Sequence, residues 1–135
     1  MPIDDVVHKF RGAWPTHCVQ DTWGAQFHPD LRVEGPVVRK GTGGEDGYSG
    51  FTEQVPHGGL QRATGLHALL QERTIRTVVV VGLAQDVCVQ ETVLDAVRLG
   101  YQVIVPTEAT RPVNLQSGDG DASLQAMADA RVKLL

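Results

Sequence analysis

Two hydrophobic patterns alternate along the chain: short β-branched runs, and longer stretches whose apolar residues recur at helical spacing. Residues 78–81 are four valines followed by Gly82, a pattern typical of a buried strand in a parallel sheet. Residues 86–99 place apolar side chains on one face and end before Gly100, as an amphipathic helix does. Strands that alternate with helices predict an α/β fold with a largely parallel sheet. The weaker patterns predict strands at 37–40, 101–105 and 131–134, and helices at 64–73 and 122–130.

The stretch between the first predicted strand and the first predicted helix is rich in glycine. Residues 41–59 contain seven glycines, which permit turns with positive φ, so we expect a loop there. The stretch has neither of the glycine-rich phosphate-binding motifs of nucleotide-binding proteins. The glycines therefore do not indicate a nucleotide site.

The composition is that of one globular domain, which we expect to comprise residues 1–135. Hydrophobic residues make up 41% of the chain and charged residues 21%, which are ordinary globular values. The formal net charge is -4 without a basic block, which argues against nucleic acid or an anionic membrane as a partner. No apolar run approaches a membrane span. Cys18 and Cys88 form neither a disulfide framework nor a CxxC pair, so we expect the protein to be cytoplasmic.

Cys88 has the position of a nucleophile in this predicted fold. It follows the valine strand, and it lies in the first turn of the next helix if Asp86 is the N-cap. Open α/β sheets bind ligands at the carboxyl ends of their strands, and a helix N-terminus favours the thiolate form of a cysteine. The alternative is a cysteine that packs in the core, as most buried cysteines do.

Lys40 and Trp14 each have two interpretations. Lys40 ends the strand predicted at 37–40, and its ammonium either is solvated or faces the Cys88 thiol across the edge of the sheet. Trp14 is either a core residue or a flat wall for an aromatic ligand. The local pattern does not choose between these roles.

Four blocks of sequence, in order and at similar spacing, resemble the isochorismatase-like cysteine hydrolases and, among these, the nicotinamidases. The blocks are Trp14-Pro15-Thr16-His17-Cys18-Val19, Phe27-His28-Pro29, Lys40-Gly41 with Tyr48-Ser49-Gly50-Phe51, and Gly82-Leu83-Ala84-Gln85-Asp86-Val87-Cys88-Val89.

The resemblance implies a three-layer, Rossmann-like fold with a parallel sheet ordered 3-2-1-4-5-6. The predicted strands at 37–40, 78–81, 101–105 and 131–134 would be strands 3, 4, 5 and 6. The implied activity is hydrolysis of a small aromatic amide, nicotinamide, through a cysteine thioester in NAD salvage. The implied partner is this small-molecule substrate.

The resemblance also assigns roles to residues. Cys88 would be the nucleophile, and Lys40 would stabilise its thiolate. A cis peptide at Leu83-Ala84 would aim the amides of Ala84 and Cys88 as an oxyanion hole. Trp14 would stack on the substrate ring, and Tyr48 would line the same pocket. Gln85 stands where the family often has Thr, with an effect that the sequence leaves open.

A divalent metal, zinc, iron or manganese, is implied as cofactor. The resemblance makes His17 one of its ligands and has the metal coordinate the pyridine nitrogen, while Cys18 would be structural. The family's other ligands, an Asp-x-His and a further His, have no match here, and Asp5 or His8 are the candidates to replace them.

The family's first segment, with its acidic catalytic residue and strands 1 and 2, has no counterpart in this sequence. We therefore expect an N-terminally incomplete domain that is unstable or homo-oligomeric through unpaired sheet edges and has no measurable activity alone. This leaves two alternatives: a truncated, inactive or partner-dependent relative, or another cysteine hydrolase acting on a carbamoyl or acyl group.

Overall fold

The computed structural model describes residues 14–43, 47–54 and 61–135. The backbone divides into two compact units, Met1–Val37 and Val38–Leu135, and each is considered by itself. The predicted organisation as one domain remains a prediction.

The described part of the first unit is built from turns. Its one short helical segment is a 3-10 turn at Trp23–Ala25, whose Trp23 side chain is 85% exposed. Local hydrogen bonds hold the neighbouring turns, such as the bond from the Thr22 hydroxyl to the Val19 carbonyl. Turns are expected here, because this part of the sequence is an irregular mixture of polar residues, glycines and prolines.

The second unit contains strands and helices in the alternation that the hydrophobic pattern predicts. In chain order they are β1 (Thr52–Gln54), β2 (Gln61–Ala63), α1 (Leu66–Glu72), β3 (Thr77–Val79), β4 (Gly82–Leu83), α2 (Gln90–Arg98), β5 (Gln102–Val105), β6 (Thr110–Arg111), α3 (Asp119–Asp129) and β7 (Lys133–Leu134).

The main sheet is parallel, with the order β3-β5-β7. Val78 pairs with Val103, and Ile104 pairs with Lys133 one strand further. Parallel neighbours need a crossover, and α2 and α3 supply it between successive strands. The predicted α/β fold with a parallel sheet is confirmed, as is the adjacency of the predicted strands at 78–81, 101–105 and 131–134.

The core forms where the helices pack on this sheet. Val93 and Ala96 on α2 are fully buried, as the helical spacing predicts, and they cluster with Val105 and Met127. Gly100 follows α2 with φ +91, which is the conformation expected of a glycine that ends a helix.

Three details differ from the sequence-based expectations. Residues 37–40 are not a strand, because a β-branched run becomes one only when another segment pairs with it, and no described segment does. The valine strand is not buried on both faces: Val79 is 60% and Val81 54% exposed, while Val78 packs against the core. Side chains alternate across a strand, and only one face of β3 meets the core.

The third difference lies in the glycine-rich stretch, which we expected to be a loop. It contributes β1, which pairs antiparallel with β2 and places Glu53 opposite Arg62. The Glu53 carboxylate is buried and accepts two hydrogen bonds from the Arg62 guanidinium, at 2.5 and 2.9 Å. This cross-strand ion pair stabilises an antiparallel pair of strands that the local composition does not predict.

Helices of the described part of the chain are short: none combines the length and apolar character needed to cross a membrane.

Candidate active site

Cys88 lies in a wide helical turn that joins β4 to α2. Residues Gln85–Val89 form one turn of π-helix, in which the Ala84 carbonyl accepts the amides of Val87 at 3.1 Å and Val89 at 3.0 Å. The Leu83-Ala84 peptide bond that precedes the turn is cis, as the family resemblance predicted. Cys88 is half-buried at this point.

Asp86 does not cap the helix, in contrast to the role predicted from the sequence. Its carboxylate is buried and accepts the backbone amides of Val113 at 2.8 Å and Asn114 at 2.9 Å, in the loop after β6. A carboxylate that accepts two amides satisfies donors that are otherwise costly to bury. Asp86 therefore binds the Cys88 turn to a segment more than twenty residues further along the chain.

Gln85 makes a second connection of this kind. The side chain is buried; its Nε2 donates to the Gly120 carbonyl at 3.0 Å and lies 3.4 Å from the Ser123 hydroxyl. Its Oε1 accepts from the Thr110 hydroxyl at 3.0 Å. The residue that departs from the family pattern thus joins the Cys88 turn to β6 and to the first turn of α3.

Lys40 and Cys88 come together, as the second interpretation of Lys40 requires. The Nζ atom lies 3.3 Å from the Sγ of Cys88 and also donates to the Gly47 carbonyl. An ammonium at this distance stabilises a negatively charged sulfur. Residues 37–40 are not a strand, so no sheet holds the lysine in place. Its hydrogen bond to the Gly47 carbonyl holds the ammonium beside the sulfur instead.

Tyr48 is buried in the loop next to Gly47, with 7% of its surface exposed. The loop is held by a hydrogen bond from the Phe51 amide to the Ser49 hydroxyl, at 3.1 Å. A buried ring at this place is compatible with the inner wall of a pocket, and its contact with substrate stays a prediction.

Trp14 and His17 lie in the first unit, where they form a pair of their own. Their ring centroids are 6.4 Å apart and nearly perpendicular, and the His17 Nδ1 lies 2.6 Å from the Pro15 carbonyl. A carbonyl oxygen only accepts, so Nδ1 is the donor in this bond. Cys18 is exposed and has a φ of 47°, and its structural role stays a prediction.

The comparison with protein families decides where the chain belongs. A family model described as the isochorismatase domain matches residues 4–134, which is nearly the whole chain. The chain is a member of the isochorismatase family.

Its relatives in the isochorismatase family include nicotinamidases. The chain is 40% identical to the nicotinamidase of Escherichia coli (strain K12) over 124 residues, which are 90% of this chain and 56% of that protein. It spans about half the length of the curated relatives it matches.

Solved structures of the family superpose on this fold. PnC1 from L. infantum in complex with nicotinate is 38% identical, with a TM-score of 0.78 over 92% of this chain and 61% of that one. The pyrazinamidase of Pyrococcus horikoshii in complex with zinc is 28% identical, with a TM-score of 0.68 over 95% of this chain and 65% of that one.

The metal expected from the resemblance finds no complete ligand set in residues 14–43, 47–54 and 61–135. No three histidine, cysteine or acidic side chains converge there. One imidazole, that of His17, does not make a metal site, since zinc is held by at least three protein ligands. Asp5 and His8, the candidates to replace the missing ligands, lie outside the described residues.

Sequence reasoning brought Lys40 and Cys88 together, as the structure does, but it missed the residues that hold them in place. Gly47 binds the lysine, and Gln85 and Asp86 anchor the Cys88 turn. Their partners are distant in sequence, so no local periodicity or motif spacing could have revealed them. The one available signal was polarity: Gln85 and Asp86 are polar residues between a valine strand and an apolar helix face.

Proposed function

We propose that the chain carries the nucleophile, the lysine and the oxyanion hole of a nicotinamidase-type amidohydrolase, which converts nicotinamide and water into nicotinate and ammonia. The observation that supports this most directly is the 3.3 Å contact between Lys40 Nζ and Cys88 Sγ, beside the turn that begins at Ala84. The names of the relatives supply the substrate class.

The proposed reaction has two steps. The Cys88 thiolate attacks the amide carbonyl carbon, a C–S bond forms, and the carbonyl oxygen takes the negative charge. The backbone amides of Ala84 and Cys88 donate to that oxygen. The C–N bond then breaks, and the nitrogen takes up a proton and leaves as ammonia. Water adds to the thioester carbonyl, the C–S bond breaks, and nicotinate and the Cys88 thiol are released.

Lys40 acts on the sulfur rather than on the carbonyl. Its ammonium stabilises the thiolate before attack and again when the thioester is hydrolysed, since sulfur leaves as an anion in that step. The group that accepts the proton of the thiol is the carboxylate of an acidic residue, which the family carries before the Trp14 block. In this chain, Asp4 and Asp5 are the acidic residues in that stretch, and they lie outside the described residues.

The remaining assignments rest on the family resemblance. Trp14 and Tyr48 are proposed to contact the pyridine ring, and His17 is proposed as one ligand of a divalent metal. A zinc complex is known for the Pyrococcus horikoshii relative. No step above passes through a metal, because the described residues do not form a site for one. We expect the reaction to serve NAD salvage in the cytoplasm.

The test is ammonia release from nicotinamide, measured for two forms of the protein. One is the chain as it stands, and the other is the chain joined to the preceding segment of a longer relative such as the Escherichia coli nicotinamidase. Cys88→Ala is the blank in each form, and Cys18→Ala is the matched control. We expect release from the joined form, which Cys88→Ala abolishes and Cys18→Ala leaves intact.

The two forms separate the alternatives. If only the joined form is active, the result supports a chain that needs an additional segment to supply the catalytic acidic residue. Activity of the chain alone directs attention to Asp4 and Asp5, each tested as the asparagine variant. Absence of Cys88-dependent ammonia from both forms would show that the proposed function is wrong.

A further inference from the structure

Thr92, a half-buried residue in the first turn of α2, connects Cys88 to another part of the second unit. Its hydroxyl donates to the Cys88 carbonyl at 2.7 Å and accepts the backbone amide of Gly50 at 2.8 Å. A hydroxyl has one proton to donate and two lone pairs, so one side chain makes both bonds at once. Thr92 thus joins the backbone of the nucleophile to the backbone of residues 47–51, which we call the lysine loop.

The lysine loop is the part of the structure that holds Lys40. The ammonium donates to the Gly47 carbonyl, and the loop packs so closely on the lysine segment that a Cβ at Gly47 would lie 2.9 Å from the Gly41 nitrogen. The position of the ammonium is therefore coupled to the position of the loop.

Close packing also places the loop on α2 beside Thr92. A Cβ at Gly50 would lie 3.4 Å from the Thr92 Cγ2 and 3.4 Å from the Leu66 Cδ2. These are van der Waals distances, so the loop and α2 are in contact at Gly50. The hydrogen bond and the glycine are two separate observations that the loop and the helix meet at this point.

These contacts form a closed path: the Cys88 sulfur, the Lys40 ammonium, the Gly47 carbonyl, the loop to Gly50, the Thr92 hydroxyl and the Cys88 carbonyl. In a closed path, every link contributes to each distance. Breaking the link at Thr92 leaves the Gly50 amide without its acceptor, while the Gly50 carbonyl still accepts the Thr64 hydroxyl at 2.7 Å. The loop is then held less firmly against α2, and we expect a small displacement of the Lys40 ammonium from the sulfur.

We propose that Thr92 is a positioning residue of the reaction, whose hydroxyl sets the distance between the Lys40 ammonium and the Cys88 sulfur. The proposal rests on the proposed function, since it assigns Thr92 to the activation of that nucleophile. Its test does not use the amidase reaction, so the two can fail separately.

The experiment measures the rate of Cys88 alkylation by iodoacetamide as a function of pH, by mass spectrometry of the whole chain, with Cys18 as the internal reference. The variants are Thr92→Val, which has the same shape without the hydroxyl; Thr92→Ser, which keeps the hydroxyl; and Lys40→Met, which removes the ammonium. Thr77→Val is the matched control, because the Thr77 hydroxyl bonds the Gln102 side chain on an exposed part of β3.

We expect Lys40→Met to slow the alkylation of Cys88, because the sulfur loses the ammonium beside it, and Thr92→Val to slow it by a smaller amount. Thr92→Ser and Thr77→Val should retain the original profile. Thr92→Ser and Thr92→Ala differ only by the hydroxyl oxygen, so this pair repeats the comparison if Thr92→Val does not fold.

Two results would overturn the proposal. If Lys40→Met displaces the profile but the loss of the Thr92 hydroxyl does not, Thr92 has no positioning role while the role of the lysine stands. If Lys40→Met leaves the profile unchanged, the ammonium does not activate the thiol, and both the positioning role and that part of the proposed mechanism are wrong.

Discussion

The ammonium of Lys40 and the sulfur of Cys88 are 3.3 Å apart, although 48 positions separate the two residues in the chain. This contact distinguishes the two cysteines, because Cys18 is more exposed but has no such contact with an ammonium in the described structure. Exposure alone favours modification of Cys18, whereas thiolate stabilisation favours Cys88.

We predict that brief iodoacetamide treatment at neutral pH labels Cys88 well ahead of Cys18, and that Lys40→Met slows Cys88 labelling roughly tenfold. Peptide mapping by mass spectrometry measures both sites in one sample. Equal labelling, or Cys18 first, would contradict the assignment of the nucleophile.

Gln85 is predicted to be a stability residue of the Cys88 turn. Gln85→Ala removes a buried side chain and leaves the Gly120 carbonyl and the Thr110 hydroxyl without this partner, so we expect a loss of about 2–4 kcal/mol in the free energy of unfolding. Urea denaturation measures it. Gln125→Ala is the matched control: the exposed Gln125 bonds only Asp129 on the surface of α3, and a change below about 0.5 kcal/mol is expected there. Similar losses in both variants would contradict the anchoring role.

Glu91 makes stability depend on pH. Partial burial raises the pKa of its carboxyl above the ordinary value of 4.5, nearby Asp95 adds to this, and Arg98 opposes it. A carboxyl whose pKa is raised in the folded state favours folding most when it is protonated. Its contribution to the free energy of unfolding is therefore fully present below about pH 4.5 and is lost as the pH rises through the raised pKa.

We therefore predict that Glu91→Gln unfolds at a higher urea concentration than the parent chain at neutral pH, and that this difference shrinks as the pH falls towards 4.5. Glu108→Gln, at an exposed position, is the control without this trend. A difference that stays constant from neutral pH to 4.5 would show that the effect is not one of ionisation.

His17 is predicted to bind a divalent metal weakly. One imidazole with few additional ligands does not complete a tetrahedral or octahedral site, so we expect substoichiometric zinc or manganese after dialysis, and less in His17→Ala. His28→Ala is the matched control, since His28 is an exposed histidine of the same unit. Tight one-to-one binding that survives His17→Ala would place the ligands elsewhere.

The sequence by itself determined the elements whose cause is local. Helix α2 follows from apolar residues at helical spacing, and its end follows from Gly100, since glycine tolerates the φ of +91 found there. The adjacent parallel strands follow from β-branched runs separated by helices. The position of Cys88, just after a strand and before a helix, needs nothing beyond this order.

Tertiary structure decided what depends on a partner from elsewhere in the chain. Residues 37–40 have a strand-like sequence but no described neighbour to pair with, and Glu53 forms its strand against Arg62 across a glycine-rich stretch. Asp86 illustrates the same principle at the site: the carboxylate was expected to cap its own helix, yet it accepts the amides of Val113 and Asn114. Hydrogen bonds and ion pairs form between groups that are close in space, and periodicity along a sequence records only groups that are close along the chain.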